Sequence, residues 1–347
     1  MNKSIKKILV IRRDNIGDLV CTTSFIAAVK DTFPNATIDI LVNDYNAPII
    51  ENHPLINTVY VYRKSRTAKN NTLRRLWSNI KLIKAIRKKQ YDIAFMCGNA
   101  NSSSCAQHTL LTKAKQRVSH HGKTKWNKRA YTIRVPGDLT NIHHVESLYM
   151  LLTPFTDEKI TRHPASLTPN ATAITRFQKQ YQQHPVSSKN LPLIAINIST
   201  RQEPQKWPLD NYKELIQKII DNKIGTPLIL WSPDTAANTK FPGDDTSANT
   251  LKEHFKDNIF AYPTPQIHDL VAALSQANTV FTPDGGVMHI AAAFQKPITT
   301  FMLKRISKRW HPWMTQHTLI PIKNNASEIS VNDAYTSLTA MLRTTRP

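Results

Sequence analysis

Along this chain, short uninterrupted apolar runs alternate with longer stretches in which apolar residues return at helical spacing. This is the pattern of strands covered on both faces and the helices that connect them. Residues 6–12 (KKILVIR) predict a strand, RDNIGD a turn, and Leu19 to Lys30 a helix. A strand over Thr37 to Val42, a short helix near Tyr45 to Glu51 and a strand over Thr58 to Tyr62 follow. Beyond the basic connection Arg63 to Lys69, a helix is predicted from about Leu73 to Lys89, with Leu82, Ile83 and Ile86 on its packing side, then a strand over Tyr91 to Met96. The span Lys113 to Arg134 is rich in Lys, Arg and His with little apolar periodicity, and reads as an exposed functional loop. A helix resumes over His143 to Leu152.

From Pro154 to Ser188 the Pro, Thr and Gln content marks a passage between domains, with one helix near Ala171 to Gln183. The alternation then begins afresh. Leu193 to Ile198, Pro227 to Trp231, Thr279 to Phe281 and Pro297 to Leu303 read as strands, and Leu209 to Asn222, His268 to Gln276 and Val331 to Arg343 as helices. The fold class that follows is α/β, with two doubly wound Rossmann-like domains facing a central cleft. The expected boundaries are residues 1–165 for the first domain, 166–190 for a linker with its helix, 191–330 for the second domain, and 331–347 for a closing helix that packs back on the first.

At 347 residues the chain is too long for one comfortable core, which agrees with two domains. No apolar run is long enough to span a bilayer, and KILVI is too short for a signal-peptide core, so a cytoplasmic location is expected. Cys21, Cys97 and Cys105 show neither paired nor metal-ligand spacing, and no metal site is predicted. The net charge of +22 is uneven. Residues 1–165 hold 27 Lys and Arg against 11 Asp and Glu, so the first domain is expected to face something acidic: a phosphorylated substrate, an anionic membrane surface or nucleic acid. The aromatic residues are not interleaved with the basic ones as stacking platforms, so specific nucleic-acid binding is the weakest of the three.

Three loops carry candidate chemistry, each after a predicted strand. Thr279 to Ala293 (TVFTPDGGVMHIAAA) reads as strand, tight turn and helix start. Gly285 and Gly286 let the backbone approach a ligand, the free N–H groups of the helix start suit a diphosphate, Asp284 stands at the mouth, and His289 lies one turn further on. In Arg12 to Asp18 (RRDNIGD), Asp18 is the candidate general base, kept approachable by Gly17. In Asn197 to Pro208 (NISTRQEPQKWP), Lys206 and Arg201 are placed to neutralise a diphosphate leaving group. Asp234, at the end of its strand, can accept from ribose hydroxyls. Each feature also has a plainer reading. Asp14, Asp18 and Asp284 are favoured helix caps, His289 can simply pack, and the cationic loop and the Asp234 turn can be ordinary surface. Asp244 and Asp245 read as solvated turn residues.

The ordered set RDNIGD, KWP and TPDGGVMHIAAA, with PLINTVY and the His143-x-Val motif, resembles glycosyltransferase family nine, the ADP-heptose:lipopolysaccharide heptosyltransferases, over nearly the whole chain. The resemblance implies a GT-B fold and metal-independent, inverting transfer without a cofactor. The partners it implies are a nucleotide-sugar donor, an anionic lipopolysaccharide-core acceptor and peripheral contact with the inner face of the cytoplasmic membrane. It makes Asp18 the catalytic base. It places Asp14, Asn15, Lys206, Asp234, Asp284, Gly285, Gly286, Val287 and His289 at the donor, and Arg63, Lys64, Arg66, Arg117 and His143 at the acceptor.

Three positions depart from the family pattern: Gly285 where Ser or Thr is usual, Gln205 where the family's lysine commonly stands, and Ser147 where Arg is frequent. They mark a divergent member, and a GT-B transferase using another nucleotide sugar is the alternative.

Overall fold

The computed structural model describes residues 5–63, 72–137, 139–234 and 243–343, without the side chains of residues 72–75. The chain divides into two compact units, Met1–Thr168 and Pro169–Pro347. In the first, strands β1 (Lys7–Ile11), β2 (Thr37–Asn43), β3 (Thr58–Tyr62), β4 (Ile93–Met96), β5 (Gln116–His120) and β6 (Ile133–Val135) form one sheet in the order β3-β2-β1-β4-β5-β6. In the second, β7 (Leu193–Asn197), β8 (Thr226–Trp231), β9 (Phe260–Pro263), β10 (Thr279–Pro283), β11 (Ile298–Leu303) and β12 (His317–Ile322) are ordered β12-β11-β10-β7-β8-β9. Every neighbouring pair is parallel. Read from each unit's own first strand, the two orders are the same doubly wound sequence. The order reverses between β1 and β4 in one sheet and between β7 and β10 in the other, and such reversals open a crevice at the carboxyl ends of the strands.

The central strands are apolar because helices cover both their faces. Ile8 to Ile11, Ile93 to Met96, Leu193 to Asn197 and Thr279 to Pro283 are buried throughout. Helix Leu209–Asp221 shows the amphipathic alternative, burying Tyr212, Leu215, Ile216 and Ile219 at helical spacing, each worth roughly 1.5–3 kcal/mol.

Four expectations are corrected. The span Lys113 to Arg134 is no loop: it forms β5, helix Lys125–Ala130 and β6. Its order comes from a buried amide rather than from apolar periodicity. The Asn127 side chain donates to the Ala100 and His120 carbonyls at 3.0 and 3.1 Å and accepts from the Gly122 N–H at 3.1 Å. The expected linker helix, Ala171–Gln183, belongs to the second unit, where Arg176 pairs with Asp269 and Phe177 packs edge-on against Phe260 and Tyr262. The closing helix Val331–Arg343 is also part of the second unit. Val331, Ala334, Leu338 and Leu342 complete that unit's core together with Trp207 and Phe301. Helix Asp245–Phe255 and strands β9 and β12, which the sequence pattern did not reveal, extend the second sheet and its cover.

One buried histidine makes the first unit sensitive to acid. His53 is 4% exposed; its Nδ1 accepts from the Leu55 N–H at 3.3 Å, so Nε2 carries the proton and donates to Ser166 Oγ at 3.1 Å. Burial lowers its pKa from 6.5 to about 4. A group that resists protonation only when folded stabilises fully above its unfolded pKa and loses that contribution as pH falls from 6.5 toward 4, here about 3 kcal/mol. Urea titrations at pH 7.5 and 4.5 (roughly one pH unit above and near the two pKa values) are expected to give a smaller pH dependence for His53→Gln than for wild type.

Candidate active site

The first carboxyl-edge loop begins at Arg12, one residue past β1, and ends in helix Ile16–Thr32. Arg12 is 1% exposed, and its Nη2 donates both to Asp18 Oδ1, in a very short contact, and to His144 Nε2 at 2.8 Å. A guanidinium has no lone pair to offer, so His144 Nε2 is the acceptor and its ring is neutral with the proton on Nδ1. His144 Nε2 also lies 3.8 Å from Asp18 Oδ1. Burial alone would discourage the Arg12 charge, but Asp18 and Asp14, whose Oδ2 is 3.8 Å from Arg12 Nε, more than offset it and raise its pKa.

Asp18 has two structural ties. Besides the ion pair, it stands at the third helical position, where its Oδ2 accepts from the Asn15 N–H at 3.3 Å in a reciprocal capping box with Asn15. The plainer reading of Asp18 as a cap of the helix start is therefore realised. The loop is pinned from the end of β2 and the turn after it. Asn43 Nδ2 donates to the Arg13 and Asp14 carbonyls at 2.9 and 3.1 Å, and Asn46 Nδ2 to the Asp14 carbonyl at 2.6 Å. Gly98, just past β4, lets the Asp14 carboxylate lie close, since a Cβ there would come within 2.8 Å of Asp14 Oδ2. Arg13 lies flat over Tyr62, 4.1 Å from the ring centroid.

The expected acceptor residues divide. Arg63 follows β3 at the same carboxyl edge, exposed, with its backbone bonded to the Asn79 amide. Lys64 and Arg66 lie outside the described residues. Arg117 is bonded within its own unit: Nε donates to the Ala130 carbonyl at 2.6 Å and Nη1 to the Ala114 carbonyl at 2.7 Å, tying together the connections around β5. His143 is also engaged within its unit. It is 6% exposed and caps helix His144–Tyr149, accepting from the Val145 N–H at 3.1 Å, while its neighbour His144 reaches the Arg12–Asp18 pair.

In the second unit, Asn197 Nδ2 donates to Thr282 Oγ1 at 3.1 Å, locking β7 to β10 across the topological reversal. Asp284 follows β10, its N–H bonded to the Phe301 carbonyl at 2.9 Å and its Oδ2 accepting from Gln205 Nε2 at 3.0 Å. Burial raises the Asp284 pKa, and the Gln205 hydrogen bond opposes the rise. Gly285 holds φ at +155°, a conformation that side chains rarely adopt, and a Cβ built there meets nothing within 4 Å. The turn thus opens onto free space just before helix Gly286–Ala293, whose first N–H groups, with Gly285, Gly286 and Val287 all partly exposed, face no earlier turn. His289 is 5% exposed and packs edge-on against Trp310 at 6.1 Å.

Lys206 is engaged with another partner. It is 48% exposed and pairs with Glu203 at 2.6 Å, whereas Gln205, 1% exposed, points inward to the carboxylate. Asp234 lies three residues past the end of β8, with φ of +139° and an N–H bonded to Asp245 Oδ2 at 2.9 Å. Asp244 and Asp245 are likewise no mere solvated turn. Asp245 accepts from Trp231 Nε1 at 2.7 Å, and Asp244 accepts from Ser199 Oγ at 2.5 Å, with burial raising its pKa. Asn43, Asn46 and His144 went unnoticed in the sequence, and Arg12 and Gln205 were named without these contacts, because long-range partners define them and no local spacing does.

Residues 79–337 match the profile of glycosyltransferase family 9 (heptosyltransferase), three quarters of the chain. The chain belongs to that family. It is a glycosyltransferase, and its two doubly wound domains are those of the GT-B fold. It is 23% identical to lipopolysaccharide heptosyltransferase 3 of Escherichia coli over 305 residues, 86% of this chain and 83% of that one. It is also 23% identical to lipopolysaccharide heptosyltransferase 2 of the same species over 309 residues, 84% and 81% of the two chains. Among solved structures, a family 9 glycosyl transferase from Veillonella parvula superposes with a TM-score of 0.84 at 14% identity, covering 99% of both chains. The E. coli ADP-heptose lps heptosyltransferase II superposes with a TM-score of 0.76 at 18% identity, covering 97% and 99%. Burial pushes the Cys21 and Cys97 thiols up to about 12, which disfavours the thiolate at both. Among the described residues no group of three His, Cys, Asp or Glu is arranged to hold a metal ion, and no helix is long and apolar enough to cross a membrane.

Proposed function

We propose that this enzyme moves heptose from ADP-L-glycero-D-manno-heptose to the inner core of lipopolysaccharide or lipooligosaccharide, with inversion and without a metal ion or other cofactor. The observation that carries the reading is the pair of oriented carboxylates at the two carboxyl-edge reversals: Asp18 held by Arg12, and Asp284 held by Gln205 beside an open helix start. The names of the E. coli relatives, which are lipopolysaccharide heptosyltransferases, support the substrate class.

In the proposed reaction an acceptor hydroxyl attacks the anomeric carbon as Asp18 removes its proton. The bond from that carbon to the diphosphate breaks, and ADP leaves with the electron pair. The N–H groups around Gly285, Gly286 and Val287 would meet the charge developing on the diphosphate, and Asp284 would accept from sugar hydroxyls. Asp14 and Asn15 border the reacting sugar, His289 supports the turn, and Asp234 receives the ribose. Lys206 can reach the diphosphate only by leaving Glu203, an exposed pair worth little and so readily exchanged. Arg63, with Lys64 and Arg66, would receive the acidic acceptor, and Arg12 and Arg13 add buried positive charge at the same edge. The enzyme would work in the cytoplasm, peripherally at the inner face of the membrane, with no specific nucleic-acid partner.

The neutral Gln205 at Asp284 and the free space beyond Gly285 favour a second reading, in which a GT-B transferase of this family uses another nucleotide sugar. Thermal shift separates the two. A ligand at a hundred times its Kd stabilises by about 2.7 kcal/mol, roughly 5 °C or more for a domain of this size. ADP is expected to produce that shift and UDP and GDP little; the opposite order would assign a different donor.

A further inference from the structure

The helix Thr72–Lys89 presents a face that the site described above does not use. From Leu76 onward its inward side is conventional: Ile86 is fully buried, and Leu82 and Ile83 pack against the core around Leu9, Tyr91 and Met96. Its outward side is not the all-polar surface such a helix normally shows. Trp77 is 61% exposed, Leu76 54% and Ile80 37%, the largest exposed apolar group on one element among the described residues. Trp77, Lys81, Lys84 and Lys88 stand at intervals of four, three and four, so at 100° per residue they form one stripe with Trp77 in line with three lysines and Ile80 beside it. Lys81, Lys84 and Lys88 are exposed. Between Glu51 and Asp92 the sequence holds eleven Lys and Arg and no acidic residue, so nothing in that stretch offsets their charge.

An indole, two aliphatic side chains and a row of lysines on one helix face are the chemistry of the interface between water and an anionic bilayer. The indole and aliphatic groups enter the boundary of headgroups and acyl chains, and the lysines meet lipid phosphates. A protein partner would have to be strongly acidic to meet the same row. Nucleic acid would use the lysines but leave Leu76 and Ile80 without a role. The helix also follows β3, so its amino-terminal end, where Leu76 and Trp77 lie, is toward the carboxyl edge that carries Asp18 and Arg63. We infer that the outward face of this helix, through Leu76, Trp77, Ile80, Lys81, Lys84 and Lys88, is the surface by which the enzyme docks on an anionic phospholipid bilayer, presenting its acceptor edge to a lipid-borne substrate. The inference deepens the proposed peripheral location and rests on it only for the direction of presentation.

The test is co-sedimentation of the full chain with vesicles of phosphatidylethanolamine and phosphatidylglycerol, and with vesicles of phosphatidylcholine alone. Wild type is compared with Trp77→Ser and with Lys81→Gln/Lys84→Gln/Lys88→Gln, each checked by circular dichroism and thermal melting. At about a factor of five per lysine, the triple variant is expected to bind the anionic vesicles on the order of a hundredfold more weakly. Trp77→Ser is expected to lose about tenfold, and the phosphatidylcholine vesicles to bind little of any of the three. Sugar transfer to a soluble, delipidated acceptor is expected to stay within about twofold of wild type. Unchanged binding in both variants would overturn the inference. So would equal binding to the two vesicle types, or an equal loss of transfer to the soluble acceptor, which would move these residues into the reaction site. If wild type transfers no sugar to any acceptor yet still shows this vesicle pattern, the proposed reaction fails and the docking surface stands.

Discussion

Asp18→Asn is expected to lower kcat/KM for sugar transfer by about 10²–10⁴, the span that removal of a general base usually costs, while leaving nucleotide binding to the isolated donor site intact. The side chain keeps its shape and its place in the capping box, but the amide cannot take the acceptor proton. A second consequence follows from the surroundings. Arg12 is 1% exposed and its charge is met chiefly by Asp18, with Asp14 farther away at 3.8 Å. Removing one member of such a buried pair leaves the other uncompensated, and roughly 3 kcal/mol of stability should be lost.

The two effects separate in a double-mutant cycle. Arg12→Met together with Asp18→Asn removes both charges, so denaturant midpoints should recover toward wild type while transfer remains abolished. Recovery of transfer with recovery of stability would show that Asp18 serves the fold alone and that the base lies elsewhere.

The second large effect concerns the donor. Asp284→Ala is expected to weaken binding of the nucleotide sugar by about 10- to 100-fold, since a hydrogen bond to a charged group is worth around 1.5–3 kcal/mol. Binding of the free nucleoside diphosphate should change little. That split is the signature of a residue that meets the sugar rather than the phosphates, and calorimetry with both ligands reads it directly. An equal loss for both ligands would place Asp284 at the diphosphate or in the framework of the turn.

Asp284 also carries a pH signature. Burial raises its pKa, so the folded protein holds this proton more tightly than the unfolded chain. Stability attributable to the group is greatest below its unfolded pKa and declines as pH rises through the raised folded value. Asp284→Asn, which puts a neutral amide of the same shape in place of the carboxyl group, should flatten that decline and melt no lower than wild type at neutral pH, even as it loses the sugar. A functional carboxylate held in a half-buried turn at a cost to the apo-protein is what such a result would demonstrate.

Local pattern alone determined a good deal about this protein. Runs such as KILVI and TVFTP are buried on both faces, a demand that only apolar, largely β-branched residues meet, so the doubly wound class and the loops after β1, β7 and β10 were readable in advance. Glycine at 285 could be read because its φ of +155° excludes most other residues. Asp284 could be noticed because it follows its strand directly, and Asp18 because it stands in the first helical turn after the loop that leaves β1. What only the tertiary structure decided lies in contacts across sequence distance. His144 reaches Arg12 across 132 residues, Gln205 reaches Asp284 across 79, and the pinning asparagines come from the end of β2 and the turn after it. Periodicity carries no trace of such pairs, nor of Gln205 pointing inward beside an exposed Lys206 or of Arg117 bonding backbone carbonyls. The short strands β5 and β6 escaped notice for a related reason: a buried asparagine helps to organise their connection, and a hydrogen-bonded amide leaves no hydrophobic signal.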